Sequence, residues 1–134
     1  MKKQELLWIE ERDVIAIHDR LLALYGGATG LRDRGLLESA PARARQHYTY
    51  AAAWDIIELA ALYTAGILSN HPFVDGNERT GFVIGVLFLE LHGFDFIASE
   101  EDATQAVMAL ATGTLNEGDF AQWMREHAIR RQGR

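Results

Sequence analysis

Residues 81–89 read Gly-Phe-Val-Ile-Gly-Val-Leu-Phe-Leu, an apolar run bounded by Thr80 and Glu90. It falls far short of the ~20 residues that a membrane-spanning helix needs. A soluble fold can hold such a run only by enclosing it. At helical spacing Phe82, Val83, Val86, Leu87 and Leu89 leave almost no polar face, which predicts a buried central helix. Gly76-Asn77 opens this helix, Leu91-His92 closes it, and Gly93 is its natural C-cap. Gly81 and Gly85 stand one turn apart, where the missing side chains let a neighbour approach closely. Each glycine costs about 1 kcal/mol of helix propensity.

A helix enclosed on all sides needs other elements around it, and the remaining pattern is helical nearly throughout. Val14, Ile17, Leu21 and Leu24 recur at helical spacing before Tyr25, and Gly26-Gly27 stops them. Gly26 to Gly30 reads as a loop. A second helix is expected from about Asp33 to Arg45, with Leu36 and Leu37 inward and Pro41 as a point of bending or breakage. His47-Tyr48-Thr49-Tyr50 reads as helical or as a short extended piece. A third helix starts near Trp54, carries Ile56, Leu59, Ala60, Tyr63 and Ile67 on one face, and stops before His71, because Pro72 disfavours a helical His71. Ser99 and Asp102 frame a capping box for a fifth helix with Ala106, Val107 and Leu110, and Asn116 caps a sixth with Phe120, Trp123 and Met124. Leu6 to Ile9 reads as a strand, and the tail from Arg130 to Arg134 is expected to fray. The fold class is therefore all-α, a compact bundle of about six helices in one domain over residues 1–134.

Composition narrows the function. The chain has 134 residues, 2 Pro and no Cys, which excludes disulfides, thiolate metal sites and a thiol nucleophile. The net charge of −6 argues against direct nucleic-acid binding, which needs a basic footprint. No membrane span or leader pattern is visible, so the expected location is the cytoplasm.

One stretch departs from packing logic. Asn70-His71-Pro72-Phe73-Val74-Asp75-Gly76-Asn77-Glu78-Arg79-Thr80 lies between two strongly apolar segments and concentrates His, Asp, Asn and Arg. Pro72 holds His71 on a loop that Phe73 and Val74 can anchor. Gly76 permits a backbone conformation closed to other residues. The amides of Gly76, Asn77 and Glu78 then stand at a helix start, which favours phosphate. Arg79 adds a planar, permanently charged fork, Asp75 is a hard oxygen ligand for Mg²⁺, and His71 can take a proton near neutral pH. A plainer account stands beside this. Asp75 and Glu78 also make a capping box, Asp75 and Arg79 an i,i+4 pair, and His71 a loop histidine bonded to backbone. The residues alone leave both readings open.

The segment His71-Pro72-Phe73-Val74-Asp75-Gly76-Asn77-x-Arg79 resembles the signature H-P-F-x-[D/E]-[G/A]-N-x-R of the Fic/Doc family. Ile17-His18-Asp19, Tyr25-Gly26-Gly27, Gly30-Leu31-Arg32-Asp33, Gly35-Leu36-Leu37-Glu38-Ser39-Ala40 and Thr80 resemble its Doc, or death-on-curing, branch. The resemblance implies roles by position. His71 is the general base that deprotonates a target hydroxyl. Asp75 holds Mg²⁺, Asn77 fixes the loop and the phosphates, the Gly76 and Asn77 amides form the anion nest, and Arg79 grips phosphate. Fic members transfer AMP from ATP and carry a second Arg three positions on, where this chain has Phe82. Doc members lack that Arg, bind the nucleotide in the opposite sense and transfer the terminal phosphate, with elongation factor Tu as the best-known target.

The resemblance therefore implies a toxin of a toxin–antitoxin pair that inhibits translation as an ATP- and Mg²⁺-dependent protein kinase. AMP transfer of the Fic type is the alternative. A second alternative follows from Glu78, which stands where Fic members usually have Gly and Doc members Lys. A carboxylate beside bound polyphosphate is repulsive, so Glu78 points to a weakened enzyme or to a non-catalytic interaction module. The inhibitory helix of some Fic proteins, [ST]-x-x-x-E-[GN], has no match, since Glu117-Gly118 is preceded by Gly113 at the hydroxyl position. Restraint then falls to a cognate antitoxin, whose disordered tail folds into a groove. Arg32, Arg34, Arg43 and Arg45 are candidate contacts for its acidic side chains, or simply a solvated helix face. His18 reads as a structural histidine, His92 as a C-terminal helix histidine favoured by the dipole, and Trp8, Trp54 and Trp123 as core or groove packing.

Overall fold

A computed structural model describes residues 5–132. Six helices form, as expected: α1 (Glu11–Tyr25), α2 (Arg34–Tyr50), α3 (Ile56–Asn70), α4 (Asn77–Leu91), α5 (Glu100–Thr112) and α6 (Glu117–His127). Their starts follow local chemistry. Asp33 accepts from the Leu36 amide, Ser99 from Asp102 and Asn116 from Asp119. Asp55 and Glu58 close a reciprocal capping box ahead of α3.

Helices α3 and α4 run antiparallel as the central pair. Gly81 and Gly85 make their close contact possible. A Cβ on Gly81 would lie 2.5 Å from the Leu68 side chain, and one on Gly85 would overlap Thr64 Oγ1 and meet the Ala60 carbonyl at 3.0 Å. The Thr64 hydroxyl donates to the Gly81 carbonyl at 2.7 Å across the same seam. On the far side of α3, Gly66 admits the Ala40 carbonyl of α2. Tyr63, Ile67, Ile84, Phe88, Leu89, Phe120 and Met124 fill the core around this pair. The central helix after the loop is thus present, but Phe82, Val83, Val86 and Leu87 are only half-buried, and α3 beside it is buried more deeply.

Two open readings are settled and two local expectations are corrected. Pro41, read as a point of bending or breakage, lies within α2 without ending it, and residues 46–50, left open between helix and extended piece, continue the helix. Tertiary packing decides this, because Tyr48 is clamped edge-on between Trp8 and Trp54. Leu6 to Ile9 forms no strand. This segment runs as a strap whose Leu7 amide donates to His92 Nε2 at 2.9 Å, while the Tyr63 hydroxyl accepts from the Ile9 amide and donates to the Ile9 carbonyl. Burial pushes the Tyr63 phenol up to about 12. The chain's end also holds more structure than expected. Strands β1 (Phe94–Phe96) and β2 (Ala128–Arg130) pair antiparallel, with Asp95 opposite Ile129. Arg131 secures the pair through Asp95 and the Glu90 and Phe94 carbonyls. The rest of the tail, residues 133–134, lies outside the described residues.

Candidate active site

The loop from His71 to Gly76 joins the two central helices, and its backbone is tied on three sides. At the end of α3, Asn70 donates to the Leu36 carbonyl and to the Ser39 hydroxyl of α2. His71 then caps the helix in the left-handed conformation, φ 52° and ψ 54°, with its amide on the Ile67 carbonyl. It is the one described non-glycine residue with positive φ. A residue with a Cβ pays roughly 1 kcal/mol or more for that region.

The segment after α1 zips onto the loop from outside. The Arg32 and Asp33 amides donate to the Pro72 carbonyl, the Val74 amide donates to the Gly30 carbonyl, and Leu31 bridges Phe73. From inside, Phe73 is 3% exposed and stacks on His18, itself 2% exposed. His18 Nε2 donates to the Asp75 carbonyl at 2.8 Å. The structural reading of His18 therefore holds, with the loop as the structure that it supports. From α4, Asn77 is 2% exposed; its Oδ1 accepts from the Phe73 amide and its Nδ2 donates to the Phe73 carbonyl. The same Nδ2 lies 3.3 Å from His71 Nδ1. Because Oδ1 is fixed as the acceptor, Nδ2 must donate, so the His71 lone pair is on Nδ1 and the ring proton on Nε2. At 3.3 Å this bond is longer than an ordinary one.

Asp75 faces solvent. Its Oδ2 accepts from the Ala28 amide at 3.0 Å and its Oδ1 from the Gly76 amide at 2.8 Å. These two backbone bonds hold its carboxyl below the usual range, with the nearby His18 a smaller influence. Gly76 takes the left-handed N-cap position of α4, φ 80°, as its place in the sequence predicts. The capping-box account fails, since no side chain caps α4. The Asp75–Arg79 pair also does not form; the Arg79 guanidinium stacks over the Tyr25 ring at 4.2 Å. The Gly76 amide is engaged by Asp75. Among the described residues, the open donors at this helix start are the amides of Asn77, Glu78 and Arg79. Glu78 is exposed on the same turn and pairs with no cation among the described residues.

The arrangement sets an exposed imidazole, an exposed carboxylate, an uncapped helix N-terminus and a guanidinium around one open surface. Two concavities lie elsewhere. One of about 520 Å³ runs between residues 8–11 and α2, and one of about 430 Å³ lies beside the α5–α6 turn; neither is lined by His71, Asp75, Asn77 or Arg79. Among the described residues no three carboxylate or imidazole groups gather into a metal cluster. Asp75 fits the mode in which Mg²⁺ takes one carboxylate together with substrate phosphates, because each oxygen keeps a lone pair beyond its backbone bond.

Sequence reasoning missed the arginines' partners. Arg34 pairs with Glu11 and Glu38, Arg43 with Glu117 and Arg45 with Glu10. Arg32 donates to the Asn70 and His71 carbonyls. Tyr25 was also invisible as a platform for Arg79. Helical i,i+4 spacing could have found Arg34–Glu38; no spacing rule links the other pairs, and only the fold brings them together.

Residues 8–89 match the model of the Fic/DOC family. Protein kinase doc of Escherichia phage P1 is 32% identical over 117 residues, which cover 87% of this chain and 92% of that protein. Toxin Doc of Mycolicibacterium smegmatis is 34% identical over 86 residues, 61% of this chain and 63% of that protein.

Proposed function

The chain belongs to the Fic/DOC family, and from that premise we propose that it is the toxin of a toxin–antitoxin pair, an enzyme that transfers the terminal phosphate of ATP to a protein hydroxyl. The uncapped start of α4, with three open amides beside His71, Asp75 and Arg79, is the observation that carries this reading. His71 Nδ1 receives the hydroxyl proton. The Asn77, Glu78 and Arg79 amides bind phosphate oxygens, with Gly76 shaping the nest and Arg79 adding charge. Asp75 would hold Mg²⁺, which when bound neutralises charge developing on the phosphates. Most of the rate enhancement is then positioning and electrostatics. The openness of the site supports a macromolecular acceptor, and elongation factor Tu is the proposed target, with inhibition of translation as the outcome.

Phosphate transfer is favoured over AMP transfer by Phe82. This side chain packs against Phe96 and Trp123, so the position of the second Fic arginine is taken by a half-buried aromatic packed against the core. The restraining partner is a cognate antitoxin, and the proposed place of action is the cytoplasm. No helix among the described residues is long and apolar enough to cross a membrane. Glu78 supports a second reading, a weakened or non-catalytic module, because its exposed carboxylate shares the turn that carries the open amides.

Labelled ATP tests these readings with purified protein and elongation factor Tu. Label from the γ position on the target supports the kinase. Label from the α position alone means AMP transfer. No label from either, with growth inhibition unchanged by His71→Ala, means a non-catalytic module.

A further inference from the structure

We propose that Arg32 is a positioning residue for His71, a proposal that rests on His71 accepting the hydroxyl proton. The Arg32 guanidinium forks over the end of α3. Its Nε donates to the His71 carbonyl at 2.7 Å and a terminal nitrogen to the Asn70 carbonyl at 2.9 Å. Its own amide donates to the Pro72 carbonyl at 2.7 Å. One residue thus holds three successive carbonyls across the point where the helix ends and the loop begins.

His71 needs such a clamp for two reasons. It sits in the left-handed region, and the following Pro72 biases it toward extended backbone. If its carbonyl is released, the backbone can relax toward that extended form and swing the imidazole away. Among the described residues the ring itself is held by one hydrogen bond, the 3.3 Å contact with Asn77, so its place is set mainly by the backbone beneath it. The guanidinium also places positive charge at the C-terminal end of α3, where it opposes the helix dipole. Among its neighbours Arg34, Arg43 and Arg45 pair with carboxylates, and Arg32 alone addresses the backbone of the loop. A planar fork spanning two carbonyls is a geometry that lysine reproduces only in part.

The test uses the full chain as wild type, Arg32→Ala, Arg32→Lys and, as a control, Arg34→Ala. Phosphate transfer from γ-labelled ATP gives kcat and KM, and the Cε1–Hε1 NMR signal of His71 reports the ring. Arg32→Ala is expected to lower kcat about tenfold or more while KM for ATP stays within about twofold. Its His71 signal shifts and broadens while that of His92 holds. Arg32→Lys recovers part of kcat, and Arg34→Ala matches wild type. Wild-type kcat in Arg32→Ala with an unmoved His71 signal overturns the proposal, as does a raised KM at constant kcat. If wild type transfers no phosphate, the reaction reading fails and the NMR signal alone decides the placement of His71. If circular dichroism shows Arg32→Ala unfolded, Arg32→Gln replaces it under the same outcomes, since it also loses the charged fork.

Discussion

The imidazole of His18 lies flat on the phenyl ring of Phe73, with centroids 3.7 Å apart and planes 5° from parallel. Its Nε2 also reaches the Asp75 carbonyl, two residues further along the loop. Helix α1 therefore grips the loop by a side chain and by a carbonyl at once. Asn77 grips it from α4 and Arg32 from the segment before α2. The exposed chemistry of His71, Asp75 and Arg79 rests on the buried His18, Phe73 and Asn77 together with the exposed Arg32, which is how an open surface site keeps a fixed geometry.

His18→Ala removes the stacked ring and the bond together, and is expected to cost about 2–4 kcal/mol. His18→Phe keeps a ring of similar size but strands the Asp75 carbonyl, and is expected to cost about 1–3 kcal/mol. Urea denaturation measures both. If His18→Phe unfolds at the wild-type midpoint, the bond contributes nothing and the ring alone matters.

Gly85→Ala separates propensity from packing. In an exposed helix this change gains up to about 1 kcal/mol. Here the new Cβ meets Thr64 Oγ1 and the Ala60 carbonyl, which is rigid helix backbone. The expected outcome is a loss of about 1–3 kcal/mol from overpacking, read as a lower denaturation midpoint. A stabilised variant would mean that α3 and α4 separate easily.

The helices were legible because Ile56 to Ile67 and Phe82 to Leu89 repeat at helical spacing, and because Asp33, Ser99 and Asn116 stand at helix starts as strong local caps. The loop chemistry was legible because His71, Asp75, Gly76, Asn77 and Arg79 lie close together in sequence. What stayed hidden depends on distant partners. Tyr48 is helical because Trp8 and Trp54 pack on it. The β1–β2 pair joins residues more than thirty positions apart. Asp75 looked like the cap of its own helix, yet its second oxygen is taken by Ala28, 47 positions earlier. Local sequence carries the propensity of Asp75 to cap and nothing of this competitor.

Asp75 links stability to acid. Its folded carboxyl is held below the ordinary value of 3.8 by the Ala28 and Gly76 amides. The ionised form is therefore favoured in the folded chain. Its contribution is full above the unfolded pKa and is lost as pH falls through the depressed folded value. The stability difference between wild type and Asp75→Asn should be flat from neutral pH down to about 5 and shrink below about 4. Urea midpoints measured across that range check this. A difference that stays constant down to pH 2 would show that the two amides do not favour the ionised carboxylate.

Under the proposed function, Glu78 should set how well the helix start binds phosphate. The open amides of Asn77, Glu78 and Arg79 favour an anion, while the Glu78 carboxylate on the same exposed turn repels one. Exposed charges a few ångströms apart interact by about 1 kcal/mol in water. Glu78→Lys replaces a repulsion by an attraction, so binding of Mg-ATP should tighten about tenfold, or about 1.4 kcal/mol. Glu78→Gln, which only removes the charge, should give about half of that free energy. Because the site is open, the gain should shrink in high salt, where the screening length falls to about 3 Å at 1 M. Calorimetric titration at low and high salt measures both effects. Equal affinity of wild type and Glu78→Lys at low salt would show that the carboxylate does not act on the phosphates, and the second reading of this site would lose its basis.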